Sequence, residues 1–340
     1  MEVNVNTDYK KGTATFVMAH WSQNHEESRE NLKQAVDGIL NQTDDNWQIV
    51  IVDDLSPCLK AREYLKRIKE LKPEKIHLIF KETNDGPGIS RNMGIEWAYK
   101  NNSPIILFND ADDISHPERL DTVRRIFMKD PEAGVVYSTF KVIDENTKPV
   151  PESALTPSIL EILEGHRENP VQGKDVWVQI GTIKGYTNLT SSTAVKTEIA
   201  YKYPFPGVRV SEDQHAWLRY SAGGGKFVYA AGIPSLYRIP QGTPTVSRAR
   251  IEGYYSEKAA IDTQGFLEAI RIYDEVTGLR TEDRDSLLIK FYLKLAETLS
   301  REDQNSLARD QVVKAAGISR IKTKEQIALR GLQRYIWTEI

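Results

Sequence analysis

The sequence predicts an α/β fold, in which helices flank a mostly parallel mixed sheet, followed by a region that is entirely helical. Over residues 13–143, short apolar runs alternate with amphipathic segments, which is the pattern of βαβ units. Two of the apolar runs end in paired aspartates, and ligands of such sheets bind where the strands end. From about residue 251 onward, the pattern is helical and contains no strand signal.

The first half of the chain contains the clearest strands and helices. Each predicted strand is a mainly apolar run, and each predicted helix carries apolar residues at helical spacing. Pro73 follows one helix and Pro117 begins another, which are usual positions for proline. The predicted strands are 13–19, 47–54, 75–81, 104–110 and 134–143, and the predicted helices are 27–42, 58–71, a segment that carries Ile95 and Ala98, and 117–131.

The second half begins with a less regular region. Residues 144–185 are polar and contain prolines, so they are predicted to supply loops over a site. A strand is predicted at 191–200, and a helix with a closing strand at 211–230. The four helices predicted beyond them are 251–277, 281–301, 303–316 and 323–338. We therefore expect a first domain over 1–250 and a helical region over 251–340.

Composition narrows the possible functions. The chain has 340 residues, of which 40% are apolar and 27% charged, and its formal net charge is -3. These values are typical of a globular protein, whereas a nucleic-acid-binding protein would carry a basic excess. With Cys58 as the one cysteine, neither an intrachain disulfide nor a cysteine zinc site is expected. The polar start and the lack of a ~20-residue apolar run lead us to expect a cytoplasmic protein without a transmembrane segment.

Three carboxylates follow a predicted buried strand in the segment NDADD, at 109–113. Like charges this close repel one another unless a cation balances them. Asp110 and Asp112 are spaced so that both can reach one divalent cation, and the departure of a diphosphate leaving group needs such a cation. The alternative is a solvated acidic turn that caps the helix beginning near Pro117. An EF-hand loop is disfavoured because Ser115 occupies its glycine position.

Two further segments carry groups that suit a nucleotide. Asp53 and Asp54 end the second predicted strand, where a carboxylate can accept a hydrogen bond from a base or a ribose; Asp53 is equally suited to capping the next turn. In NDGPGISRNMGI, at 84–95, glycines allow the backbone to approach a ligand, and Arg91 can pair with a phosphate. Arg91 could equally bridge to the aspartates and hold the edge of the sheet together.

In their order and spacing, these segments resemble glycosyltransferase family 2, the inverting nucleotide-sugar transferases of the GT-A fold. The resemblance covers about residues 13–248 and implies non-processive transfer of a single sugar from a nucleotide donor, with UDP expected, in the presence of Mg²⁺ or Mn²⁺. The segments that carry it are VDDLS, NDGPGISRNMGI, LFNDADDISHPERL, SEDQHAWLRY and LYRIPQGTPTVSR.

The resemblance also implies which residues contact the donor. Asp54 matches the aspartate that contacts the uracil ring, and Trp21 lies where an aromatic residue often stacks on the base. Arg91 matches an arginine near the nucleotide. The full set of residues expected at the donor nucleotide is Ala19, Trp21, Asp54, Arg91, Asp110 and Ala111.

The metal ligands and the catalytic base follow from the same resemblance. Asp112 matches the direct metal ligand of the DxD motif, and Asp110 lies nearer the ribose and metal-bound water. Asp213 matches the proposed base. Displacement at the anomeric carbon independently requires a carboxylate to accept the proton of the attacking hydroxyl, and Glu212 is the second candidate. The alternative is that both acids only stabilise the first turn of a helix through its dipole.

The chain departs from the family pattern at two places. The first strand ends in MAHWSQN, where relatives have proline or threonine and then tyrosine-asparagine. Pro240 and Gln241 stand where many relatives have a metal-binding histidine, so Gln241 is a tentative third contact. His215 is a second tentative site residue because it lies close to Asp213 in the sequence. Three aromatic residues are suited either to sugar stacking or to core packing, namely Trp177, Tyr186 and Trp217.

Two other functions are compatible with part of the pattern. A nucleotidyltransferase would need a glycine-rich basic loop after the first strand, and a sugar-nucleotide binding module would need no base. The acceptor is expected to be a sugar, a lipid-linked intermediate, a protein or a natural product. The helical region could form an oligomer interface, cover the acceptor or make weak contact with a membrane surface through its basic end at 318–337, and packing against the rest of the enzyme is expected first.

Overall fold

The computed structural model describes residues 8–241, 251–278 and 284–335, and its centre is a seven-stranded mixed sheet. In chain order the strands are β1 (Ala14–His20), β2 (Trp47–Asp53), β3 (Ile76–Phe80), β4 (Ile105–Phe108), β5 (Ala133–Ile143), β6 (Thr193–Lys196) and β7 (Lys226–Arg238). They lie in the order β3-β2-β1-β4-β6-β5-β7. Strand β6 runs antiparallel to β4 and β5, and the other neighbouring pairs are parallel. The prediction of a mostly parallel mixed sheet is confirmed.

Helices lie on both faces of this sheet and continue beyond it. Those of the first part are α1 (His25–Leu40), α2 (Leu59–Leu71), α3 (Pro87–Lys100), α4 (Arg119–Lys129), α5 (Pro157–Glu168), α6 (Val176–Gln179), α7 (Thr197–Lys202) and α8 (Glu212–Ala222). The later ones are α9 (Tyr254–Thr277), α10 (Arg284–Arg301), α11 (Asn305–Ile318) and α12 (Arg320–Leu329). Within the described residues, none of these helices is long and apolar enough to span a bilayer.

Side chains alternate between the two faces of the sheet, as the period of a strand requires. In β1, Phe16 and Met18 belong to one buried apolar cluster, and Val17 belongs to another. The first cluster includes the inner faces of α1 and α2, whereas the second includes Phe108 of β4 and Trp217 of α8. This double coverage explains why the central strands are apolar on both sides.

Three segments differ from the sequence prediction. The strand expected at 191–200 is limited to β6, because helix α7 begins at Thr197. Helix α5 lies within the region expected to be irregular; Pro157 begins it, and Ile159 and Ile162 are buried in a third apolar cluster. Helix α12 begins at Arg320 instead of residue 323 because the Ser319 hydroxyl caps it by accepting from the Lys322 amide. It ends at Leu329, and the expected continuation to 338 partly lies outside the described residues.

The helical region packs into the same core as the sheet. Phe266 of α9 lies against Trp177 of α6, with ring centroids 5.5 Å apart, and stacks on Phe291 of α10 at 4.5 Å. A single buried cluster contains these residues together with Val17 and Phe108. The helices therefore extend the core of the protein, and the division near residue 250 stays a prediction.

Candidate functional site

A large pocket opens at the carboxyl ends of β1, β2 and β4, where a ligand of an α/β sheet is expected. Its volume is about 1720 Å³, which exceeds the ~300–1,000 Å³ typical of a site for one small ligand. The predicted residues that line it are Ala19, Trp21, Asp54, Arg91, Asp110, Ala111, Asp112, Glu212, Asp213 and Gln241. Residues from widely separated parts of the sequence thus meet in one cavity.

The two aspartates after β2 have different environments. Asp53 is fully buried and accepts from the Ser56 hydroxyl at 2.5 Å and the Ser56 amide at 3.2 Å, and His20 Nδ1 lies 3.0 Å away. Asp53 therefore caps the following turn. Asp54 also lies in the pocket wall, where it accepts from Lys81 Nζ at 2.5 Å and from the Gly86 amide at 2.9 Å. These contacts hold the Asp54 carboxylate rigidly in the pocket wall, and Lys81 balances its charge.

Arg91 connects two of the predicted motifs. One guanidinium nitrogen donates to Asp110 Oδ1 at 2.7 Å, and the other donates to Glu212 Oε1 at 2.7 Å. The arginine is buried, and its plane lies 5.5 Å from the centroid of the Phe205 ring. The structure therefore shows the bridging alternative, in which Arg91 pairs with Asp110 of the acidic turn. The Arg91 guanidinium is thus one of the positive charges expected beside these carboxylates.

Asp112 and Asp113 are close in sequence but face different surroundings. The Asp112 side chain is exposed in the pocket; restricted solvation between the pocket walls, followed by repulsion from Asp110, raises the pKa of Asp112 to about 6. Asp113 is buried and accepts from the Arg238 amide at 2.8 Å. Arg238 Nε donates to the Asp112 carbonyl oxygen at 2.9 Å, so Arg238 holds the turn from below.

The donor set at this turn fits a divalent cation. Asp110 and Asp112 offer carboxylate oxygens, which hard cations prefer, and the mutual repulsion that raises the pKa of Asp112 would be relieved by a bound cation. Gln241 also lines the pocket, where its side-chain nitrogen donates to the Ile239 carbonyl oxygen at 2.9 Å. In the parts of the chain that the structure describes, no group of three or more His, Cys, Asp or Glu side chains is arranged for a metal.

The candidate base lies at the start of helix α8. Ser211 precedes the helix with φ 60°, and Glu212 and Asp213 form its first turn. Asp213 Oδ1 accepts from the Gln214 amide at 2.7 Å. Burial, followed by repulsion from Glu212, raises the pKa of Asp213 to about 7. A carboxylate with such a pKa can accept and release a proton near neutral pH.

The second tentative residue, His215, and the predicted aromatic residues can now be placed. His215 is buried against α9, where its Nε2 lies 3.7 Å from Glu268 Oε1, and it is not among the residues that line the pocket. Trp177 and Trp217 are buried in the core, whereas Tyr186 lines the pocket. Trp21 is 45% exposed at the opening, which leaves its ring available for stacking.

The sequence did not indicate the contribution of Arg238, and it gave coverage of the acceptor as only one of several uses of the C-terminal helices. Tyr254, Tyr255 and Lys258 of α9 and Thr298 of α10 line the pocket beyond Asp213. Asp262 of α9 is buried and accepts from the Ser211 hydroxyl. One available signal was that Asp262 lies on the same helical face as Ala259, Phe266 and Ala269, because an acid within an apolar stripe is unusual.

Comparisons with known proteins agree with this geometry. The model of "Glycosyl transferase family 2" matches residues 24–188, which contain β2 to β5, Asp54, Arg91 and the acidic turn. This match, which covers just under half of the chain, supports the resemblance to glycosyltransferase family 2. An uncharacterized glycosyltransferase of Methanocaldococcus jannaschii is 27% identical over 247 residues, which is 72% of this chain and 77% of the relative.

Solved structures similar to this chain share its GT-A fold. Residues 1–349 of TarS from S. aureus superpose with a TM-score of 0.61 at 17% identity, covering 93% of this chain and 82% of that one. The same fragment has been solved with UDP-GlcNAc. The mannosyltransferase PcManGT from Pyrobaculum calidifontis, in complex with GDP-Man and Mn²⁺, superposes with a TM-score of 0.54 at 17% identity, covering 98% of this chain and 87% of that one. The predicted fold class is confirmed.

Proposed function

We propose that this glycosyltransferase moves a single sugar from a nucleotide-diphosphate donor to an acceptor hydroxyl with inversion, and that it needs a divalent cation. The observation that carries the proposal is that one pocket brings Asp110 and Asp112 together with Asp213. The first two are suited to a cation and a diphosphate, and the third is suited to removing a proton. UDP is the expected nucleotide, and transfer is non-processive.

The donor lies between β1, β2 and the acidic turn in this proposal. Asp54 is placed to accept a hydrogen bond from the base, and Trp21 to stack on it. Ala19 and Ala111 leave space for the nucleotide, since neither has a long side chain. The bound UDP-GlcNAc of TarS and GDP-Man of PcManGT support a nucleotide-sugar donor. The match to the family model favours sugar transfer over nucleotide transfer or simple binding.

Asp112 is the proposed direct ligand of Mg²⁺ or Mn²⁺, with Asp110 beside it and Gln241 as a tentative third contact. When bound, the cation neutralises the charge that develops on the departing diphosphate. Arg91 orients Asp110 through the 2.7 Å ion pair and so fixes the carboxylate relative to helix α8. The Mn²⁺ in the PcManGT complex supports a divalent cofactor.

Asp213 is the proposed base, and Glu212 holds Arg91 beside it. The acceptor hydroxyl attacks the anomeric carbon while its proton passes to an Asp213 carboxylate oxygen. The bond between the anomeric carbon and the diphosphate oxygen breaks, and the electron pair leaves with the diphosphate. Because Asp213 has a pKa of about 7, it is suited to this role at neutral pH.

The pocket volume leaves room for an acceptor beside the donor. The proposed acceptor remains one of four classes, namely a sugar, a lipid-linked intermediate, a protein side chain or a natural product. The helical region covers the acceptor side in this proposal, because Tyr254, Tyr255 and Lys258 line the pocket there. We propose a cytoplasmic location, with an oligomer or weak membrane-surface contact through the last helices as further possibilities to be measured.

A thermal-shift screen tests the donor first. Ligand binding to the native state raises its stability by an amount set by concentration and affinity. We expect UDP and one UDP-sugar to raise the melting temperature in the presence of Mn²⁺, and the shift to shrink when EDTA is added. No shift with UDP, GDP or dTDP, or with their sugars, would contradict the proposed use of a nucleotide donor.

Release of UDP from the donor that binds best then tests transfer. Asp213→Asn should bind the donor with unchanged affinity but release UDP at least ~100-fold more slowly. Exposed Asp121 on α4, which pairs with Arg125, provides a matched control, because Asp121→Asn should change neither quantity. Full activity of Asp213→Asn would remove Asp213 from the mechanism.

A further inference from the structure

A chain of polar contacts runs from the helical region to the start of α8. The Tyr186 hydroxyl donates to Ser211 Oγ, and the Ser211 hydroxyl donates to Asp262 Oδ1. Lys258 pairs with the other oxygen of Asp262, one helical turn away. Lys258 Nζ also lies 4.4 Å from the centroid of the Tyr186 ring. These contacts join Tyr186, Ser211, Asp262 and Lys258, and Ser211 directly precedes Glu212.

Ser211 adopts a backbone conformation that serine rarely occupies. Its φ of 60° places it in the left-handed region, which is unfavourable for a residue other than glycine. Such a conformation persists where surrounding contacts hold it, and it is found most often at functional sites. Here the contacts that hold the side chain are those with Tyr186 and Asp262.

The Asp262 and Lys258 pair is difficult to explain as a stabilising feature. Asp262 is 5% exposed, and a buried ion pair is usually no more stabilising than a well-packed apolar pair of similar size. Leucine or methionine on this face of α9 would continue the apolar stripe formed by Ala259 and Phe266. The retained charge therefore indicates a role at the site that Ser211 adjoins.

We propose that Asp262 is a positioning residue, which acts through Ser211 to hold the first turn of α8 so that Asp213 faces the reacting hydroxyl. This inference rests on the proposed function, because it assigns Asp262 to the same base. It makes α9 part of the catalytic apparatus, in addition to its place in the core.

The charge of Asp262 also acts on Asp213. Burial makes the largest contribution to the raised pKa of Asp213, Glu212 the next, and Asp262 adds to both, whereas Arg91 opposes them. Removing the negative charge of Asp262 should therefore lower the pKa of Asp213. The titratable groups that face Asp213 from the surrounding elements are Glu212, Arg91, Asp262, Tyr186 and Tyr237.

The test compares Asp262→Asn with Glu275→Gln in the full chain, using UDP release from the donor identified by the screen. Glu275 lies on the same helix, is 60% exposed and pairs with Arg271, so its replacement controls for a change of charge on α9. For Asp262→Asn we expect kcat to fall about 10-fold, KM for the donor to stay within about 2-fold, and the acid limb of the pH profile to move down by about 0.5 unit. Glu275→Gln should match the wild type in all three.

Two further variants keep the inference testable if Asp262→Asn folds poorly. Lys258→Met combined with Asp262→Asn removes both charges but keeps an oxygen that accepts from Ser211. Because the loss of the lysine charge opposes the loss of the aspartate charge, its acid limb should shift down less than that of Asp262→Asn. Ser211→Gly relieves the backbone strain but removes the hydroxyl, and it should lower kcat without that shift.

The outcomes distinguish failure of the positioning role of Asp262 from failure of the proposed function. An unchanged kcat and pH profile in Asp262→Asn and in the double variant would overturn the positioning role while leaving the proposed function intact. A parallel loss of donor affinity and kcat would also overturn it, since that pattern indicates general damage. Absence of UDP release by the wild type would instead contradict the proposed function.

Discussion

Arg91 and Glu212 form an ion pair of 2.7 Å that joins helix α3 to the first turn of α8. The same guanidinium pairs with Asp110 at 2.7 Å. Burial alone would lower the pKa of Arg91, but Asp110 and Glu212 more than offset this and raise it above its usual value. One planar guanidinium group thus fixes the proposed metal site, at Asp110, relative to the proposed base, which follows Glu212.

Arg91→Lys should disrupt this arrangement, because a single ammonium cannot pair with both carboxylates in the geometry of a guanidinium fork. We expect kcat/KM for UDP release to fall about 100-fold and the free energy of unfolding to fall by roughly 2–3 kcal/mol, since one carboxylate is left without its partner. Arg125→Lys, at the exposed pair with Asp121, should leave both unchanged. Activity of Arg91→Lys within 3-fold of the wild type would show that the bridge is only structural.

The raised pKa of Asp213 predicts how activity depends on pH. The base is active only when ionised, so the rate of UDP release should increase with pH and level off above about 7. The slope of log kcat below that pH should approach one. A profile that is flat between pH 5 and 8 would mean that the group removing the proton is not a carboxyl with this pKa.

The same pKa makes a separate prediction about stability. The pKa of Asp213 rises from 3.8 to about 7 on folding, so the folded state holds the proton more tightly than the unfolded state. The stabilisation from this group is therefore complete below about pH 4 and is lost as the pH rises to about 7. Asp213→Asn should be more stable than the wild type by roughly 1–3 kcal/mol at pH 8 and equal to it at pH 4. Equal stability at both values would contradict the pKa shift.

The sequence predicted much of the fold because strand and helix periodicity are local properties. Phe16 and Val17 on opposite faces of β1 follow directly from alternation, and the acidic turn follows from Asp110 and Asp112 at the end of an apolar run. The parts that were not predicted depend on contacts between distant residues. Arg238 supports the turn across 125 positions, and Ser211 meets Asp262 across 51; no local pattern determines which residues will pair over such distances.

Helix α5 was missed for a different reason. Its segment is polar and follows prolines, which indicated a loop, yet Ile159 and Ile162 are spaced to bury one face. The tertiary cluster formed with Phe140 and Val142 therefore outweighed the weak local signal.

Asp112→Asn should separate metal binding from nucleotide binding. The variant loses one of the two carboxylates, so Mn²⁺ should no longer increase the thermal shift produced by UDP, and UDP release should fall about 100-fold. Asp113→Asn is the control variant, because Asp113 is buried and accepts from the Arg238 amide instead of facing the pocket. This variant should be less stable than the wild type but should retain the effect of Mn²⁺ on the thermal shift. A full Mn²⁺ effect in Asp112→Asn would place the cation elsewhere.

Docking of the helical region against the sheet can be tested at a glycine far from the proposed chemistry. A methyl group at Gly181 would overlap the ring of Phe266 on α9, whereas one at Gly165 in α5 would meet no atom within 4 Å. Gly181→Ala should lower the free energy of unfolding by roughly 1–3 kcal/mol, and Gly165→Ala should be neutral or raise it by about 0.5–1 kcal/mol. Because α9 shares its core with the sheet, denaturation of Gly181→Ala should follow one transition by near-UV circular dichroism and tryptophan fluorescence. A separate transition of the helices at lower denaturant concentration would mean that the helical region is an independent unit. In that case, α9 would place Asp262 against Ser211 only while the helical region is docked on the sheet.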